Sequence, residues 1–176
     1  MKSHHDEENA KEQVLVTDEL AFKYAMTRDF KNVQDLTISQ EGITFIDSGN
    51  MTLKSFINLK SLDLSFNEIA KIDNLEVLKE LRDLNLSFNK IETIDNLGKF
   101  PNLRTVNLNH NKIKRLENLK NCRKLETLSL VGNQIEEFNV YGGLTEPLLE
   151  LKELLLGKNK IQIIKTALNI FPNVRK

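Results

Sequence analysis

Residues 59–80 read LKSLDLSFNEIAKIDNLEVLKE, and residues 81–102 read LRDLNLSFNKIETIDNLGKFPN. The two stretches align without a gap, so the pattern repeats with a step of 22 residues from Leu59 to Leu81. The same pattern recurs at residues 33–46, 103–124, 125–138 and 151–164. Self-similarity with a period of this length predicts a stack of similar structural units.

Each unit alternates apolar and polar residues in its first part, as Leu62 and Leu64 show. This alternation is typical of a strand with one buried face, and stacking of the units pairs these strands in parallel. The second part has apolar residues at steps of three, such as Ile72, Leu75 and Leu78, which favours short helical turns. The predicted fold class is α/β: a solenoid with a curved parallel sheet on its concave side and short helical or 3-10 turns on its convex side.

An asparagine follows the strand in nearly every unit, whereas the first unit has Glu41 at this position. The asparagines are Asn67, Asn89, Asn111, Asn133 and Asn159. A buried amide can pair with backbone groups of its own turn and of the adjacent turn, so we predict a structural role. On the convex side, Asp73, Asp95 and Asn118 are predicted to cap the turns.

The two ends depart from the repeat. The predicted division is a disordered acidic tail at 1–14, a capping helix at 15–32, six repeats at 33–164 and a C-terminal segment at 165–176. The helix would begin at Thr17 or Asp18 and bury a stripe of Phe22, Met26 and Phe30. The C-terminal segment either caps the stack or starts a seventh repeat, because FPNVR at 171–175 parallels FPNLR at 100–104.

Composition excludes several classes of function. Lys and Arg number 25 and so do Asp and Glu, which leaves no basic footprint for nucleic acid or anionic lipid. No apolar run approaches the length of about 20 residues that a membrane span needs. The sequence has no secretory signal and only one cysteine, Cys122, so we predict a protein of the reducing cytoplasm without an internal disulfide. We also predict that it is a monomer.

The sequence also lacks the patterns of an enzyme. It has no glycine-rich phosphate loop, and its histidines, His4, His5 and His110, are not accompanied by a ligand set. We therefore predict no catalysis, no cofactor and no metal.

The register of the strands identifies the residues that face outward. The candidate partner-binding residues are Lys60, Asp63, Phe66, Arg82, Asp83, Asn85, Phe88, Arg104, Asn107, His110 and Leu155. The basic residues either recognise a partner or are neutralised by the neighbouring acidic pair. For Phe66 and Phe88, packing inside the loop is favoured over exposure as interface anchors.

The motifs LDLSFNEIAKIDNL and LNLSFNKIETIDNL resemble those of short-repeat intracellular leucine-rich-repeat proteins, over roughly residues 33–164. That class includes the leucine-rich-repeat regulatory subunit of type-1 protein phosphatase and the leucine-rich-repeat light chain of axonemal dynein. The resemblance implies a protein partner on the concave face or its rims, in phosphatase regulation or in a cytoskeletal or ciliary complex. A structural light chain or spacer that uses its ends and convex face is the alternative. Nuclear location and end-to-end self-association stay open.

Overall fold

A computed structural model describes residues 15–46, 51–138, 148–164 and 173. The helices are α1, Asp18–Ala25, and α2, Met51–Ser55, and two 3-10 segments span Phe30–Asn32 and Leu97–Lys99. The strands are β1 Asp35–Thr37, β2 Ser61–Asp63, β3 Asp83–Asn85, β4 Thr105–Asn107, β5 Thr127–Ser129, β6 Glu137–Phe138, β7 Glu153–Leu155 and β8 Ile163–Ile164. The predicted tail at 1–14 and all of the C-terminal segment at 165–176 except Asn173 lie outside the described residues.

Six strands form one parallel sheet in the order β1-β2-β3-β4-β5-β7. Their central residues align as Leu36, Leu62, Leu84, Val106, Leu128 and Leu154. The longer unit after Leu125 keeps this register, because Leu128 of β5 is paired with Leu154 of β7. The predicted parallel sheet of a solenoid is confirmed.

The core is continuous from turn to turn. In the second repeat, Leu62 and Leu64 of the strand and Ile69 and Ile72 beyond it are all buried. Corresponding residues of the next units join the same cluster, which runs from Val16 to Leu151. No single turn could bury this apolar surface alone, so stacking is the source of stability.

The five asparagines that recur at the strand ends form an asparagine ladder inside the stack, and Asn89 shows its pattern. Its side-chain nitrogen donates to Leu64 O at 2.9 Å and Leu86 O at 3.1 Å, while its oxygen accepts from Ile69 N at 2.9 Å. Asn89 thus joins two consecutive turns from a buried position. The predicted structural role is confirmed.

The convex side differs from its prediction. Asp73 and Asp95 do not cap a turn; they accept hydrogen bonds from Asn96 and Asn118 of the following turn, at 2.7 Å and 2.6 Å. These asparagines have left-handed backbones, with φ of 61° and 60°. Here too the polar side chains connect neighbouring turns. A two-stranded parallel sheet of β6 and β8, which the sequence did not predict, lies outside the main sheet.

Helix α1 begins as predicted but buries a different face. Thr17 caps it by accepting from Leu20 N at 3.2 Å, and the chain turns left-handed at Met26. The helix therefore ends before Phe30, so the predicted stripe is wrong. Ala21 is fully buried, while Phe22 is 40% and Met26 87% exposed.

Glu41 explains how α1 is held on the first turn. Its carboxylate accepts hydrogen bonds from Lys23 Nζ at 2.6 Å and from the hydroxyl of Tyr24. Its backbone N–H donates to Asn67 Oδ1, so the first turn is joined to the ladder through the backbone of Glu41 and not through its side chain. The hydrogen bonds from Lys23 and Tyr24 lower the pKa of Glu41. The departure from asparagine at this position thus provides an attachment point for α1.

We expect Glu41→Gln to loosen α1, because a neutral amide replaces the carboxylate that accepts both hydrogen bonds. In the unmodified chain, the pKa of Glu41 is lowered by folding. The stabilisation of α1 by its carboxylate is therefore fully present above the ordinary pKa of 4.5 and is lost as pH falls through the lowered pKa. The substitution should accelerate amide exchange at Ala21 and Tyr24 at neutral pH. Glu92→Gln, at an exposed position on another turn, is the control and should leave those amides unchanged. Equal exchange in both variants would contradict the role of Glu41.

Candidate functional site: the outer face of the sheet

The sheet turns one face to the core and the other outward, and the observed register fixes which residues are outward. One row contains Asp35, Ser61, Asp83, Thr105, Thr127 and Glu153. The next contains Thr37, Asp63, Asn85, Asn107, Ser129 and Leu155. The candidate residues of the sheet therefore lie on one surface, while their role in binding stays a prediction.

A basic row, defined as Lys60, Arg82 and Arg104, flanks this face. Lys60 Nζ donates to Gln34 Oε1 at 2.9 Å, and Arg104 Nη1 lies 2.6 Å from Glu126 Oε1. Lys152 also contacts Glu126, and the hydrogen bonds from Lys152 and Arg104 lower the pKa of that carboxyl. The side chain of Arg82 forms no hydrogen bond or ion pair with any described residue.

Neutralisation by the acidic pair does not account for the basic row. Neither Asp63 nor Asp83 forms an ion pair within the described part of the chain. Asp63 instead accepts hydrogen bonds from Ser65 N and Asn85 Nδ2, both at 2.8 Å. The charge of Arg82 is therefore exposed and directly unpaired.

The centre of the face is held in place by short local hydrogen bonds. Asn85 Oδ1 accepts from Ser87 N at 3.1 Å and Ser87 Oγ at 2.8 Å, and Asn107 Oδ1 accepts from Asn109 N at 3.0 Å. These side chains are half-buried, and their orientation is set by the turn that follows each strand. The outer face is thus preorganised at its centre.

An aromatic column, defined as Phe66, Phe88 and His110, forms one rim. The ring centroids of Phe66 and Phe88 are 4.3 Å apart with planes 7° apart, and those of Phe88 and His110 are 4.3 Å apart with planes 13° apart. Phe66 is 50% and Phe88 42% exposed, so the prediction that they pack inside the loop is wrong.

The backbone explains why these rings face outward. The three residues have φ of 55°, 55° and 54°, in the left-handed region, and the asparagine that follows each of them takes the interior position. Their N–H groups donate to the adjacent turn, as in Phe66 N to Ser87 O at 3.0 Å. At Gly132, the same position of the next unit, a Cβ would lie 2.8 Å from His110 Nδ1. The glycine leaves room for the last ring.

Two other features of the surface are exposed, one on the sheet and one away from it. Leu155 lies in β7 and is 47% exposed, as its outward register requires. Away from the sheet, sequence reasoning missed a groove lined by Glu92, Thr93, Lys114, Arg115, Glu117 and Glu136. Both signs of charge alternate there, and Arg115 pairs with Glu117 at 3.5 Å.

The chemistry of reactive groups is limited in the described residues. Burial raises the pKa of the Cys122 thiol to about 12, so the thiol is protonated and a poor nucleophile at neutral pH. No group of three or more His, Cys, Asp or Glu side chains is placed to hold a metal ion in residues 15–46, 51–138 or 148–164. Across the same ranges, no helix has the length and apolar character of a membrane span.

Comparisons with known proteins agree with this architecture. The family model described as Leucine Rich repeats (2 copies) matches residues 57–99 and again residues 101–143. An internalin of Listeria monocytogenes is 27% identical with a TM-score of 0.65, over 81% of this chain and 39% of its own. A leucine-rich-repeat protein of Leptospira interrogans is 28% identical with a TM-score of 0.71, over 82% of this chain and 36% of its own.

The chain therefore spans well under half the length of these two structures. Comparison with curated proteins gives no significant match. Matched repeats, parallel sheet and structural neighbours lead to one conclusion: this chain contains leucine-rich repeats and has the fold of a leucine-rich-repeat solenoid.

Proposed function

We propose that this chain is a non-catalytic interaction module that binds a protein partner on the outer, concave face of its sheet. Leucine-rich-repeat folds generally mediate protein–protein interaction. The observation that carries the proposal is the unpaired guanidinium of Arg82, which lies between Lys60 and Arg104 beside a centre of fixed amides. An exposed cation on a rigid surface gives both attraction and orientation to an anionic partner group.

The setting that we propose follows the sequence resemblance. By resemblance to short-repeat proteins of this class, the proposed setting is regulation of a phosphatase or assembly of a cytoskeletal or ciliary complex. A cytoplasmic location is consistent with the single, buried cysteine. The partner is a protein, and the balanced charge of the chain disfavours nucleic acid.

The test is a double charge reversal, Arg82→Glu with Arg104→Glu. A partner would first be identified by affinity purification from the source organism and mass spectrometry, and then purified for calorimetric titration. We expect its affinity to fall about 100-fold or more, because juxtaposed like charges cost several kcal/mol. The matched control is Lys114→Glu with Arg115→Glu, which reverses the same charge in the groove away from the sheet.

A second candidate function is a structural light chain that uses the ends of the solenoid. The exposed Phe22 of α1 and Met26, which follows the helix, favour it, because apolar side chains at an end can join a permanent assembly. If the double reversal leaves the affinity unchanged while Phe22→Ser with Met26→Ser abolishes binding, the light-chain function replaces the first proposal.

A further inference from the structure

We infer that the partner presents an extended peptide segment with an acidic side chain at one end and a bulky apolar or aromatic side chain at the other. This inference rests on the proposed function and specifies its ligand. Three features in the turns from residue 59 to residue 124 carry it: the basic row, the fixed amides and the aromatic column.

The acidic end follows from Arg82. Its planar guanidinium is able to bind a carboxylate through two parallel hydrogen bonds, and no described residue occupies it. Lys60 lies in the same row one strand away, about 4.8 Å along the sheet, and its own contact is the neutral Gln34. Asp83 lies next to Arg82 in the chain but forms no ion pair with it, so this neighbouring carboxylate leaves the guanidinium available.

The apolar end follows from the geometry of the aromatic column. The ring faces of Phe66 and Phe88 cover one another at a centroid distance of 4.3 Å, and Phe88 and His110 do the same. Phe88 is therefore covered on both faces and offers a ligand only its ring edge, which suits apolar side chains better than nucleic-acid bases, because bases stack on open faces. Stacking and backbone hydrogen bonds already hold the rings in place, so these side chains lose little conformational entropy when a ligand binds.

The spacing of the two ends sets the length of the segment. Arg82 and Phe88 are six residues apart in one turn, with strand β3 between them. An extended chain covers about 3.3 Å per residue, so the distance across the face is at most about 20 Å. An extended ligand should therefore have about five to seven residues from its acidic to its apolar side chain. The amides of Asn85 and Asn107 between the two ends can pair with its backbone.

The experiment is selection of random peptides of about 12 residues, displayed on phage, against the full chain; peptides of this length exceed the span of about 20 Å. We expect enriched sequences to share Asp or Glu and an aromatic, Leu or Met residue at the stated spacing. Synthetic versions should bind Phe66→Ala with Phe88→Ala at least about tenfold more weakly, the loss of a typical interface anchor. The matched control, Phe45→Ala with Ile57→Ala, removes two similarly exposed apolar side chains elsewhere and should bind normally.

The outcomes separate this inference from the proposed function. If the peptides lose affinity for Arg82→Glu with Arg104→Glu but bind the Phe66→Ala, Phe88→Ala variant normally, the inference is overturned and the proposed function stands. If both variants bind normally, both proposals fail. Enriched peptides without acidic residues also overturn the inference. Should the alanine variant lose its native circular dichroism, Phe66→Leu with Phe88→Leu replaces it, and weaker binding is again the supporting result.

Discussion

Leu86→Ala is expected to lower the free energy of unfolding by about 2–5 kcal/mol, the range for a fully buried leucine. Leu86 is 0% exposed and lies between the corresponding leucines of two adjacent turns, Leu64 and Leu108. Neither turn is free to close the cavity, because hydrogen bonds of the asparagine ladder fix their spacing on both sides. Urea titration followed by circular dichroism measures the change.

Leu155→Ala is the matched control for this prediction. It removes the same atoms from an outward position that is 47% exposed, so the expected change is well under 1 kcal/mol. If the two substitutions had equal effects, the assignment of inward and outward rows would be contradicted.

Asn89→Asp is expected to destabilise the chain by about 3–5 kcal/mol at neutral pH, the cost of an uncompensated buried charge. A carboxylate could still accept from Ile69 N, but its second oxygen would face Leu64 O and Leu86 O, which now accept from the amide. Both carbonyls keep a second donor, from Asn67 and Asn111 respectively. Repulsion is therefore the main loss.

The pH dependence gives this prediction a distinctive sign. Burial and repulsion raise the pKa of the introduced carboxyl in the folded state above that in the unfolded chain, so stability should fall as pH rises between the two pKa values. Denaturation at pH 4 and pH 7 measures this difference. Asn107→Asp is the control, because Asp63 already occupies the same outward position two turns earlier, and a small effect at both pH values is expected. Equal losses in the two variants would contradict the assigned role of Asn89.

The sequence was sufficient to predict the strands and their outward rows. A two-residue alternation assigns each side chain to a face, and the step from Leu59 to Leu81 repeats that assignment in the next turn. The role of Asn89 was also predictable, since a buried amide at a recurring strand end needs backbone partners.

The rim could not be predicted in the same way. Phe66 and Phe88 adopt a left-handed backbone that is uncommon for bulky residues, and this conformation turns their rings outward. The signal in the sequence was Gly132, which stands at the same position of a later unit and has φ of 72°. The free guanidinium of Arg82 depends on side-chain conformations, about which the repeat says nothing.

The end of α1 was equally hidden. No glycine or proline occurs between Ala25 and strand β1, yet the chain leaves the helix at Met26. The prediction assumed a longer helix with Phe22, Met26 and Phe30 on one buried face, and it therefore assigned Phe22 to the wrong face. The sequence identified the cap residue Thr17 but not the length of the helix that it begins.

The asparagine ladder has a consequence for how the chain opens. Each of its hydrogen bonds joins a turn to itself or to an adjacent turn, as Asn111 does with Leu86 and Leu108. Cooperativity is then transmitted only from neighbour to neighbour, so one end can unravel while the middle stays intact. The four turns with strands β2 to β5 have neighbours on both sides and should be the last to exchange their amide protons. Local opening would spare the surface that carries the basic row and the aromatic column.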